Sequence, residues 1–159
     1  MSDVEIVPLT EQIGAEIRGA DLSQSMSETL FAAIYRAWLD HHVLLFRDQS
    51  LTDPQMIAFS RRFGDLEFHI SSSNKHPDHP ELLILSNRKV DGKWVGATAA
   101  GDSWHTDTHY TERPAKCTML HSLEVPEDGG ETAFINTYAA YEALPENTKE
   151  RIAGLKGIN

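Results

Sequence analysis

Apolar residues change their spacing several times along the chain, and each change predicts an element. Glu5–Leu9 and Ile13–Arg18 are short apolar runs divided by turn-prone residues and closed by Gly19, which predicts two strands. Ser25 and Glu28 have the spacing of a capping box. Leu30, Phe31, Ile34, Trp38 and Leu39 then recur at helical intervals, predicting a helix to about Asp40 with one buried stripe. Val43–Phe46 is a β-rich run closed by polar Arg47–Ser50. Thr52 and Gln55 form a second capping-box pair, with Pro54 in the first turn and Met56, Phe59 and Phe63 on one face before Gly64.

Beyond Gly64 the pattern loosens. Residues 69 to 81 hold three histidines, three serines in a row and two prolines without a period, which predicts a loop that presents polar groups. Leu82–Leu85 predicts a buried strand, and Val90–Val95 two short arms around an Asp-Gly turn. Trp104–Tyr110, Lys116–Val125 and Glu131–Ile135 predict a strand series, with a turn at Pro126–Gly130. Asn136 or Thr137 is placed to cap a helix through Leu144, and Pro145 to start another through Ile152. No shift of composition marks a linker.

Composition narrows the function classes. Apolar residues at 40% and charged residues at 24% are enough to build and to cover one core, which disfavours disorder and repeat arrays. Fourteen Lys and Arg against twenty-four Asp and Glu give a formal charge of -10. That balance argues against nucleic acid and anionic membranes as partners, because phosphate neutralisation supplies most non-specific affinity. Cys117 is the sole cysteine, so no intrachain disulfide and no cysteine-rich metal site can form, in keeping with a cytoplasmic protein. In a β-rich run Cys117 reads as a small buried side chain rather than a nucleophile.

The candidate chemistry lies in Gly101–Tyr110. On a strand, side chains alternate, so His105 and Asp107 are expected on one face, where an imidazole nitrogen and a carboxylate oxygen can address one ion. With a further histidine such a pair makes the facial triad of non-haem Fe(II) oxygenases. Taken alone, His-x-Asp recurs in many proteins as a simple hydrogen-bonded pair. His109 should share that face, as a third ligand, a donor to a ligand, or an ordinary polar residue at the strand end. Trp104 should point the other way and anchor the strand in the core, while Trp38 and Trp94 read as packing residues.

The wider pattern is more specific. Trp104-His-Thr-Asp107 is followed by Pro114-Ala115, by Val125-Pro-x-x-Gly-Gly-Glu-Thr132 and by Tyr138-Ala-Ala-Tyr-Glu-Ala-Leu-Pro145. Together with Ile13–Leu22, Phe46–Gln49 and Arg62–Leu66 in the same order, these blocks closely resemble the taurine and aryloxyalkanoate dioxygenase family, from about residue 6 to the end. The resemblance implies a mainly β fold with flanking helices, a partial and truncated double-stranded β-helix (jelly roll). It makes residues 1–159 the N-terminal part of a single dioxygenase domain.

By the same resemblance the cofactor is Fe(II), with 2-oxoglutarate and O2 as cosubstrates, and His105 and Asp107 are metal ligands. The distal histidine, and the arginine that grips 2-oxoglutarate, fall beyond Asn159. His121, His41, His42, His76 and His79 are not assigned to the distal position. Thr132 matches a threonine that donates its hydroxyl to a 2-oxoglutarate carboxylate, and His69 matches a histidine that contacts the substrate's sulfonate. Two neighbours depart from the taurine-oxidising pattern, since Ser72 stands for an aromatic hydroxyl and Gly101 for an asparagine.

The implied reaction hydroxylates a small organic acid, among them a sulfonate, a sulfate ester or an aryloxyalkanoate, while 2-oxoglutarate is decarboxylated to succinate. The chain alone is expected to be inactive and poorly folded, because a β-roll cut midway exposes strand edges and half of an apolar sandwich. The contrasting reading is a catalytically silent metal- or ligand-binding β domain. The subunit arrangement is left open, a homo-oligomer included.

Overall fold

The computed structural model describes residues 4–68, 74–98, 101 and 103–156. They fall into two compact units, one of Met1–Ser50 with Ser122–Asn159, the other of Leu51–His121.

The first unit is built on a three-stranded sheet in the order β1-β2-β3. β1 (Glu5–Pro8) and β2 (Ala15–Arg18) pair antiparallel, Glu5 opposite Arg18 and Pro8 opposite Ala15. Their connection is tightened by Thr10, whose Oγ1 donates to the Ile13 carbonyl (2.6 Å) and accepts from the Ile13 N–H (2.9 Å). Helix α1 (Glu28–His41) carries the chain across to β3 (Leu44–Leu45), which lies parallel to β2. The helix cap is Ser27, which accepts from the Leu30 N–H at 3.2 Å, two residues later than the predicted Ser25. Both start signals were serines, and the one whose side chain reaches the first turn sets the boundary.

As the middle strand, β2 is buried along Ala15, Glu16 and Ile17, and it packs with Ile34 and Ala37 of α1 and with Ala20 and Leu22 to form the core of this unit. Glu16 is the charged group in that core. Its two carboxylate oxygens face Arg18 (3.2 Å) and Arg47 (3.4 Å). The Arg18 hydrogen bond, the larger influence, and the nearby guanidinium charges hold this carboxyl below the usual range, although burial pulls the other way. Gln49 ties the neighbouring loops, donating to the carbonyls of Ala20 (3.0 Å) and Arg47 (2.9 Å) and accepting from the Leu22 N–H (2.9 Å).

Further along, Asn136 caps α3 (Thr137–Glu142) and reaches back to the Gln12 carbonyl at 2.7 Å. Tyr138 stacks on His42, and α4 (Glu146–Ile152) follows Pro145.

The second unit starts with α2 (Asp53–Arg61), closed at its N-terminus by the predicted capping box: Gln55 Oε1 accepts from the Thr52 N–H at 2.8 Å. Ile57, Phe59 and Phe63 are buried, and Lys116 Nζ donates to the Phe63 carbonyl at 3.0 Å. The predicted hairpin is present as β4 (Lys89–Val90) and β5 (Lys93–Trp94). Asp91 and Gly92 both have positive φ (50° and 77°), as a type I′ turn requires. Trp94 is exposed, with the Lys89 ammonium over its ring, and so does not pack as expected.

The expected jelly roll is not what the described residues form. They are mostly helix and loop, with two small open sheets and no closed double-stranded β-helix. Leu82–Leu85 contributes isolated bridges, Lys75 to Leu83 and Leu85 to Ala97, and Leu83 and Leu85 are exposed. Gly96 allows the close passage beside that segment, since a Cβ there would stand 2.3 Å from the Ile84 carbonyl oxygen. Trp104–Tyr110, Lys116–Val125 and Glu131–Ile135 contain no assigned strand. The physical reason is the absence of pairing. A strand forms only when its N–H and C=O groups find a ladder and one face finds cover. Here Leu123 is 81% and Val125 76% exposed, and Trp104, expected in the core, is 68% exposed.

Candidate metal-binding site

His105 and Asp107 lie in irregular chain that enters a turn, not on a strand, yet their side chains meet: His105 Nε2 stands 3.2 Å from Asp107 Oδ1. Local bonds create this approach. His105 Nδ1 is 2.8 Å from the Ser103 carbonyl, and a carbonyl only accepts, so Nδ1 carries the hydrogen and a neutral ring keeps its lone pair on Nε2. Thr118 Oγ1 donates to the other Asp107 oxygen, Oδ2, at 2.6 Å. Thr108 follows with φ 53°, uncommon for a β-branched residue. It is held there because its Oγ1 accepts from the Ala115 N–H (2.6 Å) and its carbonyl accepts from the Thr111 N–H (2.9 Å).

A lone pair and a carboxylate oxygen facing each other need a cation or a proton between them. The environment favours positive charge: the His105 pKa is raised, first by the Ser103 carbonyl and then by the Asp107 charge, against some desolvation. The spacing also suits a metal. Two atoms each about 2.1 Å from one six-coordinate ion, at a right angle, are about 3.0 Å apart. Both side chains are close to half exposed, so the pair is open to an incoming ion. The donor types and the separation fit two neighbouring ligands. Among the described residues no third His, Cys, Asp or Glu joins them to make a metal-binding group.

His109 turns its Nδ1 to the Thr106 carbonyl at 2.6 Å and sets its ring edge-on to Tyr110. Thr132 lies in exposed irregular chain of the first unit. His69 and Ser72 lie outside the described residues. Cys117 is partly buried, and burial raises its thiol pKa despite Lys116, which suits packing better than nucleophilic chemistry. Ser103 and Thr118 were not singled out from sequence. Ser103 had a signal, a position two before the histidine, whereas Thr118 had none, because its contact spans eleven residues.

Known proteins resemble this chain along nearly its whole length. The model of the family "Taurine catabolism dioxygenase TauD, TfdA family" matches residues 5–159. The alpha-ketoglutarate-dependent 2,4-dichlorophenoxyacetate dioxygenase of Cupriavidus pinatubonensis is 34% identical over 159 aligned positions, covering 94% of this chain and 55% of that protein. An alkylsulfatase of Acinetobacter baylyi is 36% identical over 154 positions, covering 92% and 44%. The crystal structure of a taurine dioxygenase from Burkholderia xenovorans superposes with a TM-score of 0.83 at 30% identity, over 97% of this chain and 52% of that one. The chain thus spans about half the length of the relatives it matches. With a family match over nearly its whole length, the chain belongs to the TauD, TfdA family of dioxygenases.

Proposed function

We propose that the protein is an Fe(II)- and 2-oxoglutarate-dependent dioxygenase that hydroxylates a small organic acid, of the sulfonate, sulfate ester or aryloxyalkanoate type. The observation that carries this reading is the 3.2 Å approach of His105 Nε2 to Asp107 Oδ1 within a chain of this family. The names of the relatives, a 2,4-dichlorophenoxyacetate dioxygenase and an alkylsulfatase among them, support an acidic substrate.

In this reading His105 and Asp107 hold the metal, as a neutral donor and an anionic one. The family resemblance implies one further metal ligand and an arginine for 2-oxoglutarate beside them. Bound iron with 2-oxoglutarate and O2 supplies the oxidising chemistry that no side chain can provide. The Ser103 carbonyl keeps the His105 proton on Nδ1, so that Nε2 is available as a donor atom. We assign Thr132 the role of donating its hydroxyl to a 2-oxoglutarate carboxylate, and His69 that of facing the acidic group of the substrate.

The test is succinate production by the protein at its full encoded length, supplied with Fe(II), ascorbate, O2 and 2-oxoglutarate and a panel of alkyl sulfates, alkyl sulfonates and aryloxyalkanoates. Turnover stimulated by one of these classes, and reduced to background in His105→Ala and Asp107→Ala, is the expected result. Turnover unchanged in Asp107→Ala would overturn the assignment, as would the absence of 2-oxoglutarate consumption with every substrate.

A further inference from the structure

The Asp107 carboxylate has two oxygens that are chemically alike, and the structure treats them differently. Oδ1 faces His105 Nε2 at 3.2 Å, whereas Oδ2 accepts a 2.6 Å hydrogen bond from Thr118 Oγ1. A hydroxyl that donates along one lone-pair direction of Oδ2 fixes the rotation of the whole carboxylate about its Cβ–Cγ bond. Threonine suits the task because branching at Cβ restricts χ1, so its hydroxyl holds a direction that serine would have to select among three rotamers.

The Ser103 carbonyl plays the matching part for the imidazole, occupying Nδ1 so that Nε2 is the ring nitrogen turned to Asp107 Oδ1. Both members of the pair therefore have the atom remote from the shared position already engaged. Thr118 lies eleven residues beyond Asp107, so the orientation does not depend on the local turn alone.

We infer that Thr118 is a positioning residue for the metal site: its hydroxyl holds Asp107 as a one-oxygen ligand presented through Oδ1. The inference rests on the reading of His105 and Asp107 as metal ligands. A carboxylate free to rotate could offer both oxygens to the ion and would occupy a coordination position needed for other ligands. With Oδ2 engaged by Thr118, that second position stays open.

The experiment titrates Mn(II) alone into the full-length protein and its variants under equilibrium conditions, reading free Mn(II) by electron paramagnetic resonance, with circular dichroism to verify the fold. Thr118→Val keeps the shape of the side chain and removes the donor. It is expected to weaken Mn(II) binding about 10- to 100-fold, the usual cost of losing a partner that orients a ligand. Thr118→Ser, which restores the hydroxyl, is expected to recover to within about threefold of the parent.

If Asp107→Ala abolishes binding while Thr118→Val binds Mn(II) as the parent does, the Thr118 inference is overturned and the metal site stands. Equal weakening in the Ser and Val variants, with the fold intact, would also overturn it, since the hydroxyl would then be irrelevant. Binding that survives Asp107→Ala undiminished would instead sink the metal-site reading itself.

Discussion

At the residue scale, a buried charge depends on its partners. Glu16 is buried in β2 and tolerated because Arg18 and Arg47 each take one of its oxygens. Its carboxyl is held below the usual range, chiefly by the Arg18 hydrogen bond. A lowered folded-state value means that the contribution to stability is fully present above the unfolded value of about 4.3 and fades as pH falls through the folded one. Glu16→Gln should therefore melt lower than the parent at pH 7, with the gap closing as pH drops below about 4. Thermal unfolding of the protein at its full encoded length, followed by circular dichroism from pH 7 to 3, measures this, and a gap that stays constant would assign Glu16 a packing role only.

The His105–Asp107 pair was legible in the sequence, but by a different route from the one the chain takes. Strand alternation predicted a shared face. The structure reaches the same juxtaposition in irregular chain, through the Ser103 carbonyl, the Thr118 hydroxyl and the positive φ of Thr108. Spacing of two residues was enough to suggest the pair, whereas the bond from Thr118 depends on tertiary contact that no local pattern encodes.

At the scale of elements, what local chemistry specifies is what the sequence showed. Apolar period and capping residues located α1 and α2, a cap at Asn136 located α3, Pro145 located α4, and the Asp-Gly pair located the β4–β5 turn. Asn136 shows how a single cap also joins elements, since it accepts from the Ala139 N–H at 3.1 Å and donates to the Gln12 carbonyl at 2.7 Å. Asn136→Ala removes both bonds and should cost about 1–3 kcal/mol, one cap and one further hydrogen bond. Urea denaturation of the protein at its full encoded length should show a lower midpoint with an unchanged slope. A loss below about 0.3 kcal/mol would mean that neither bond is maintained in solution.

Leu82–Leu85, Trp104–Tyr110, Lys116–Val125 and Glu131–Ile135, where the structure departs from the strands their composition predicts, share one property. Their β-rich composition is real, but a strand is completed by a neighbour. Composition shows that a residue suits a ladder, not that one is available.

At the scale of the whole molecule, the exposed apolar residues are the outstanding feature. Leu123, Val125, Tyr138 and Leu155 in the first unit, and Trp104 and Leu120 in the second, all leave most of their surface uncovered. Surfaces of this kind associate or take up apolar dyes. The 17.8 kDa chain of residues 1–159, expressed alone, should enhance anilinonaphthalene sulfonate fluorescence and elute above its monomer mass. A monomer that leaves the dye dark and unfolds in one cooperative step would contradict this.

The central claim, that His105 and Asp107 hold iron for a 2-oxoglutarate-dependent reaction, is tested most directly by anaerobic addition of Fe(II) and 2-oxoglutarate to the protein at its full encoded length. A visible charge-transfer absorption of the chelated complex, lost in both His105→Ala and Asp107→Ala, is the result this account predicts. A folded protein that shows no such band, or a band that persists in either variant, would contradict it.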